Sequence, residues 1–182
     1  MRLSFGAAFL VAGIAAGYIT GLEALSRAGT VPVADAGKWR QELVNPKDPY
    51  AIYAVGHFKA QGALPPPHDS QLFSRDTDED GKPLRGDCIY LLSGTTPAAR
   101  WWAVSVAPSG TMADAISTSA ADVIITGEER LNITLSHRLA SGNWLAMPDA
   151  ANVNVTLALH EPYDKSKKGS ANLPTLTKVS CE

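Results

Sequence analysis

ANVNVTLALHEP, residues 151–162, decides the fold. Val153, Val155, Leu157 and Leu159 fall on one side of an extended chain, while Asn152, Asn154, Thr156 and His160 fall on the other. Apolar residues at a period of two mark a strand with one buried face. A half-buried strand of this kind belongs in an antiparallel sheet. His160 closes the polar side near the strand end. Glu161 is its chain neighbour, so in a strand the two side chains point to opposite faces and do not act together on one substrate. Glu161-Pro162 therefore reads as the end of the strand.

Working outward, the same period recurs. GDCIYLLSG (86–94) sets Cys88, Tyr90 and Leu92 on one side, and RWWAVSVAP (100–108) does so with Trp102, Val104 and Val106. QLFSRDT (71–77) is strand-like. ADVIIT (121–126) and RLNITLSH (130–137) read as a hairpin joined through Gly127-Glu128-Glu129. No amphipathic helices alternate with these strands, which excludes βαβ units. The expectation is a mainly β protein, an antiparallel β-sandwich or jelly-roll-like domain over residues 46–182. One or two short helices should precede the strands. ADAGKWRQELVN (34–45) reads as the first, inside a linker spanning 28–45. DPYAIYAVGHFKAQG (48–62) reads as the second, with Asp48 as N-cap, Pro49 in the first turn, and Gly62 and Pro65-Pro66-Pro67 as the stop.

Residues 3–22 carry no charge. That is about the length of a membrane-spanning helix. Residues 1–27 are thus expected to be an N-terminal transmembrane anchor with its flank, a cleaved signal peptide being the competing reading. Arg2 places the amino terminus on the cytoplasmic side. The implied location is the inner membrane of a bacterium, single pass, with the C-terminal domain in the periplasm. Gly13, Gly17 and Gly21 share one helical face and could pack a homodimer.

The chain has 182 residues, 16 basic and 18 acidic, for a net charge of −2. Without a basic stripe, nucleic acid is not an expected partner. The two cysteines, Cys88 and Cys181, would pair in an oxidising compartment.

Chemical motifs are sparse. DTDEDGKPLRGD (76–87) has the oxygen-rich pattern of a calcium loop, but it ends in Asp, contains Pro83 and lies between strands, so an acidic turn built on Glu79-Asp80-Gly81 is the simpler reading. His57, His68, His137 and His160 share no metal-ligand spacing. No cofactor is expected. No nucleophile-elbow motif is present. Tyr53 and His57, one helical turn apart, could line a pocket. Trp101, Trp102 and Trp144 could form a sugar-stacking platform, with at most one of Trp101 and Trp102 on a given surface because chain neighbours in a strand face opposite sides; Trp102, Trp144 and His160 join Tyr53 and His57 as pocket candidates.

DPYAIYAVGHFKAQGALPPP, RDTDEDGKPLRGDCIYLLSG, PAARWWAVSV, GNWLAMP and LPTLTKVSC, in this order, resemble the bacterial family numbered 1214 among the domains of unknown function. The resemblance runs from about Asn45 to Cys181. Leu145-Ala146-Met147-Pro148 departs from the shorter Leu-Pro step of that pattern. The resemblance implies a jelly-roll-like β fold and a companion domain, numbered 1254, supplied by a longer chain or by a separate protein. It implies no catalytic residues. The expected function is therefore a periplasm-facing binding or assembly module that joins a companion-domain partner. The alternatives are a subunit of a hydrolase-type enzyme with its site at a domain interface, and a carbohydrate- or small-ligand-binding module. An enzymatic role is left open and not favoured.

Overall fold

The computed structural model describes residues 2–28, 33–42, 70–111, 114–125, 127, 130–163 and 173–181. The N-terminal segment is a helix, α1 (Arg2–Ala28). The strands are β1 (Val33–Ala36), β2 (Trp39–Glu42), β3 (Ser70–Arg75), β4 (Cys88–Thr95), β5 (Ala99–Pro108), β6 (Ile116–Ser119), β7 (Arg130–Ser136), β8 (Trp144–Ala146), β9 (Val153–Pro162) and β10 (Thr175–Cys181). They form two open sheets, a six-stranded one in the order β1-β2-β3-β9-β5-β6 and a four-stranded one in the order β10-β4-β7-β8.

The period-two pattern places the core. Val153, Val155, Leu157 and Leu159 of β9 join Phe73 of β3 and Trp102, Val104 and Val106 of β5. Across from them lie Cys88, Tyr90 and Leu92 of β4, Leu131, Ile133 and Leu135 of β7, Leu145 of β8 and Leu176 of β10. Both sheets feed this one apolar cluster, so their inner faces are mutually buried. β9 sits between β3 and β5, with Leu157 opposite both Phe73 and Val104.

Three expectations are corrected. The helix expected over residues 34–45 is instead the β1–β2 hairpin, in which Ala36 pairs with Trp39 around Gly37-Lys38. Gly37 holds φ at +72°, as the first turn residue of a type II′ hairpin requires. Trp39 and Gln41 then face inward while Arg40 is exposed, a period of two rather than 3.6. The hairpin expected between ADVIIT and RLNITLSH is absent, and the strand before β7 is β6, which pairs with β5. Among the described residues of ADVIIT, only Val123 enters the core. The backbone of Ile124 is matched by a side chain: Asn143 accepts its N–H at 2.8 Å and donates to its carbonyl at 2.7 Å. The sheets are also not wholly antiparallel, because the short β8 runs parallel to β7.

α1 carries Phe9, Leu10, Val11, Ile14, Tyr18, Ile19 and Leu22 exposed. Among the described residues no helix is long and apolar enough to cross a membrane, so the transmembrane helix expected over residues 3–22 is not supported. A methyl group added at Gly13, Gly17 or Gly21 would meet nothing within 4 Å, so that glycine face is open. The second expected helix, over residues 48–62, lies outside the described residues.

Candidate functional site

The 76–87 segment is a tight acidic hairpin. Thr77 bridges Pro83, and the Asp78 amide donates to the Lys82 carbonyl at 2.9 Å. Gly81 takes φ +78° at the corner. Asp78 Oδ1 accepts the amides of Asp80 at 3.0 Å and Lys82 at 2.9 Å, so this carboxylate is first of all a cap for its own turn. The other carboxylates turn elsewhere. Asp76 pairs with Arg40, and Asp87 with Arg85. Glu79 pairs with Arg75. The ligand set of a calcium loop does not converge, and among the described residues no group of three or more His, Cys, Asp or Glu could hold a metal ion.

Beyond this turn the chain packs against the 148–152 loop. The Gly86 amide donates to the Ala150 carbonyl at 2.9 Å, and the Val153 amide to the Leu84 carbonyl at 3.0 Å. Between the two loops and the paired ends of β4 and β10 lies a cavity of about 670 Å³. Asp78, Lys82, Asp149 and Lys178 line it, as do the Arg85–Asp87 pair, Tyr90 and the Cys88–Cys181 disulfide. Cys88 and Cys181 are directly opposite each other on β4 and β10, with Cα atoms 4.0 Å apart. The disulfide expected from the sequence is therefore present and forms one wall.

Tyr90, one of the lining residues, is 1% exposed, and its hydroxyl accepts the Arg85 amide at 3.0 Å. Burial raises the phenol above its ordinary value of 10.0; the Arg85 amide works against this, and the charges of Asp78 and Asp87 add to it. Asp78, also 1% exposed, has an unusual second oxygen: Oδ2 is buried without a hydrogen-bond partner.

A second polar cluster is structural. Arg75, at the end of β3, is 1% exposed and donates to Glu79 at 2.7 Å, with its guanidinium 5.8 Å from the centre of the Trp39 ring. Burial alone would raise the Glu79 carboxyl. Hydrogen bonds from Arg75 and the Leu176 amide, with the charges of Arg75 and Lys38, outweigh that and hold it below the ordinary 4.5. Trp39 donates its indole N–H to the Pro174 carbonyl at 2.8 Å. These contacts tie the first hairpin, β3 and β10 together.

The pocket candidates read from the sequence do not form one site. Tyr53 and His57 lie outside the described residues. Trp102 is inside the core at 3% exposure. Trp144 belongs to the other sheet and spends its indole N–H on Ser136, carbonyl and hydroxyl both at 3.1 Å. His160 is on the outer face of the six-stranded sheet, where Ser70 Oγ lies 2.7 Å from its Nδ1 and the Trp101 ring 4.9 Å from its own. Glu161, at φ +49°, turns away to pair with Arg100. The cavity lining was missed, although two signals for it were legible. One was the DTDEDG turn. The other was a tyrosine on the apolar side of a strand, whose hydroxyl must find a partner once buried.

The profile described as "Protein of unknown function (DUF1214)" matches residues 69–164, just over half of the chain. The chain belongs to the DUF1214 family. The family match spans the acidic turn, β3 to β9 and the 148–152 loop, leaving β10 outside it. No curated protein matches the chain. Among solved structures, the VPA0106 protein from Vibrio parahaemolyticus is similar at 20% identity and a TM-score of 0.56, over 74% of this chain and 36% of that one. An uncharacterised protein from Burkholderia cenocepacia aligns at 15% identity and a TM-score of 0.46, over 91% of this chain and 50% of that one. The Vibrio protein shares the fold; the chain spans about a third of its length and half that of the Burkholderia protein.

Proposed function

We propose that this DUF1214 chain is a binding or assembly module, a jelly-roll-like β-sandwich that joins a partner carrying the companion domain numbered 1254. The observation that carries this reading is the alignment with the Vibrio protein, where the same fold occupies only 36% of a longer chain. A fold that recurs as a fraction of a larger protein is suited to working against a second unit. The bare apolar side chains of α1 support attachment to a membrane, with the β domain in the periplasm of a bacterium, and its open glycine face would admit a second copy of the helix. The test is crosslinking in native membranes, followed by purification and mass spectrometry. A stoichiometric partner bearing the companion domain is the expected result. Recovery of the chain alone, or only with itself, would sink the assembly reading.

A hydrolase-type subunit is the second reading, supported by the 2.7 Å contact between Ser70 Oγ and His160 Nδ1. A fluorophosphonate probe should then label Ser70 in the native assembly and not after Ser70→Ala; an unlabelled protein ends that reading. The carbohydrate-binding reading rests on Trp101, which is 41% exposed beside His160.

A further inference from the structure

The cavity beside the disulfide contains a carboxylate that the fold does not satisfy. Asp78 Oδ1 is fully engaged by two backbone amides. Oδ2 is buried and has no partner. A buried carboxylate oxygen without a donor or counter-charge is costly, and proteins keep such groups where function repays the cost. Asp78 lines the cavity, so a ligand can bring the missing donor.

The rest of the lining narrows the ligand. Arg85 and Asp87 neutralise each other through two contacts, Nε to Oδ1 at 2.9 Å and a second between the guanidinium end and Oδ2. Among the described residues no ion pair occupies Lys82, Lys178 or Asp149. Tyr90 accepts the Arg85 amide, and among the described residues nothing accepts its own proton. The lining therefore combines an unpartnered carboxylate oxygen on Asp78, a hydroxyl on Tyr90, a second carboxylate on Asp149 and two lysines, of which Lys82 belongs to the same turn as Asp78. A neutral polyol would leave the Asp78 charge uncompensated, while a simple cation would find nothing to do with the lysines. The volume of about 670 Å³ falls within the range of small-molecule sites.

We propose that this cavity binds a zwitterion of the amino-acid type, free or as a short peptide, with its ammonium on Asp78 Oδ2 and its carboxylate towards Lys82 and Lys178. The residues that line this cavity are distinct from Ser70, His160 and Trp101.

The test is titration calorimetry and thermal shift on the full chain with five probes: L-alanine, L-alanyl-L-alanine, ethylamine, acetate and glucose. Either or both zwitterions should bind and raise Tm, ethylamine should bind at least tenfold more weakly, and acetate and glucose should not bind. Which zwitterion binds more tightly tells a free amino acid from a peptide. Asp78→Asn keeps the Oδ1 acceptor for the turn and removes the uncompensated charge. Its unliganded Tm should match or exceed that of the parent, and zwitterion affinity should fall at least tenfold. A variant less stable than the parent, with unchanged affinity, would make Asp78 purely structural and overturn the proposal. Should Asp78→Asn not fold, Lys178→Met and Tyr90→Phe serve instead, each expected to weaken the zwitterion by several fold. Binding unaffected by both variants, glucose binding in place of the zwitterions, or no binding by any probe would equally overturn it.

Discussion

Gly86 is where the acidic hairpin touches the 148–152 loop, and a single methyl group there should force the two apart. A Cβ built on Gly86 falls 2.0 Å from the Pro148 carbonyl oxygen, 2.8 Å from the Ala150 nitrogen and 3.0 Å from the Ala150 oxygen. Carbon and oxygen approach comfortably only to about 3.3 Å, so the loops must separate by roughly 1 Å. Every obstructing atom is backbone, and no rotamer change relieves the clash. Separation also lengthens the 2.9 Å bond from the Gly86 amide to the Ala150 carbonyl. Overpacking of this kind costs about 2 kcal/mol and a lost hydrogen bond about 1 kcal/mol more. The sum, about 3 kcal/mol, lowers Tm by roughly 10 °C for a domain of this size. The assay is thermal and urea unfolding of Gly86→Ala under non-reducing conditions. Gly127→Ala is the control, because its methyl group would meet nothing within 4 Å, and it should stay within about 0.5 kcal/mol of the parent. A Gly86→Ala protein that melts within about 2 °C of the parent would refute the contact between the loops, and with it one wall of the cavity.

Three further outcomes are expected. Replacing both Cys88 and Cys181 with Ser should lower stability by about 4–5 kcal/mol on the chain-entropy argument for a bond joining residues 93 apart, and equal urea midpoints under oxidising conditions would show that the bond contributes nothing. Asn143→Ala removes both Ile124 contacts and a 2.9 Å bond to the Asn132 carbonyl; about 2 kcal/mol should go, with faster amide exchange at Ile124, and unchanged exchange there would contradict the bridge. Glu79 has its carboxyl pKa depressed in the folded protein, so its contribution is present above pH 4.5 and is lost as pH falls through the lower folded value. Glu79→Gln should accordingly flatten the acid limb of the stability–pH curve, and parallel acid limbs would rule this contribution out.

What could be read from the sequence is the part governed by local alternation. β4, β5, β7 and β9 reveal themselves because each has one wet face and one dry face, and the inward residues follow directly. The errors come from positions where a distant group overrides local preference. Residues 34–45 hold enough helix formers to suggest a helix, yet Gly37 and a landing place for Trp39 against Pro174 turn them into a hairpin. ADVIIT has strand composition, but its partner is the Asn143 amide, and nothing near residue 124 announces a side chain nineteen positions later. The parallel β8 is likewise set by its three-residue fit along β7 rather than by its own composition. The candidate site was legible only in pieces: the turn residues of 76–87 were plain, but the cavity that Asp78 lines is completed by residues of β4, β10 and the 148–152 loop, which converge only in three dimensions.

The central position of β9 has a consequence for how the chain is made. β3 and β5 do not pair with each other; both wait for β9 to enter between them. During vectorial synthesis the nascent chain therefore carries two strands with unmet inner edges until residues near Leu159 have emerged. The other sheet waits longer, since β4 gains one of its neighbours only when β10 arrives. Pairings this distant cannot form until the later strand has emerged, and sticky edges stay open meanwhile. Until β9 arrives, the facing edges of β3 and β5 are where a nascent chain would pair wrongly.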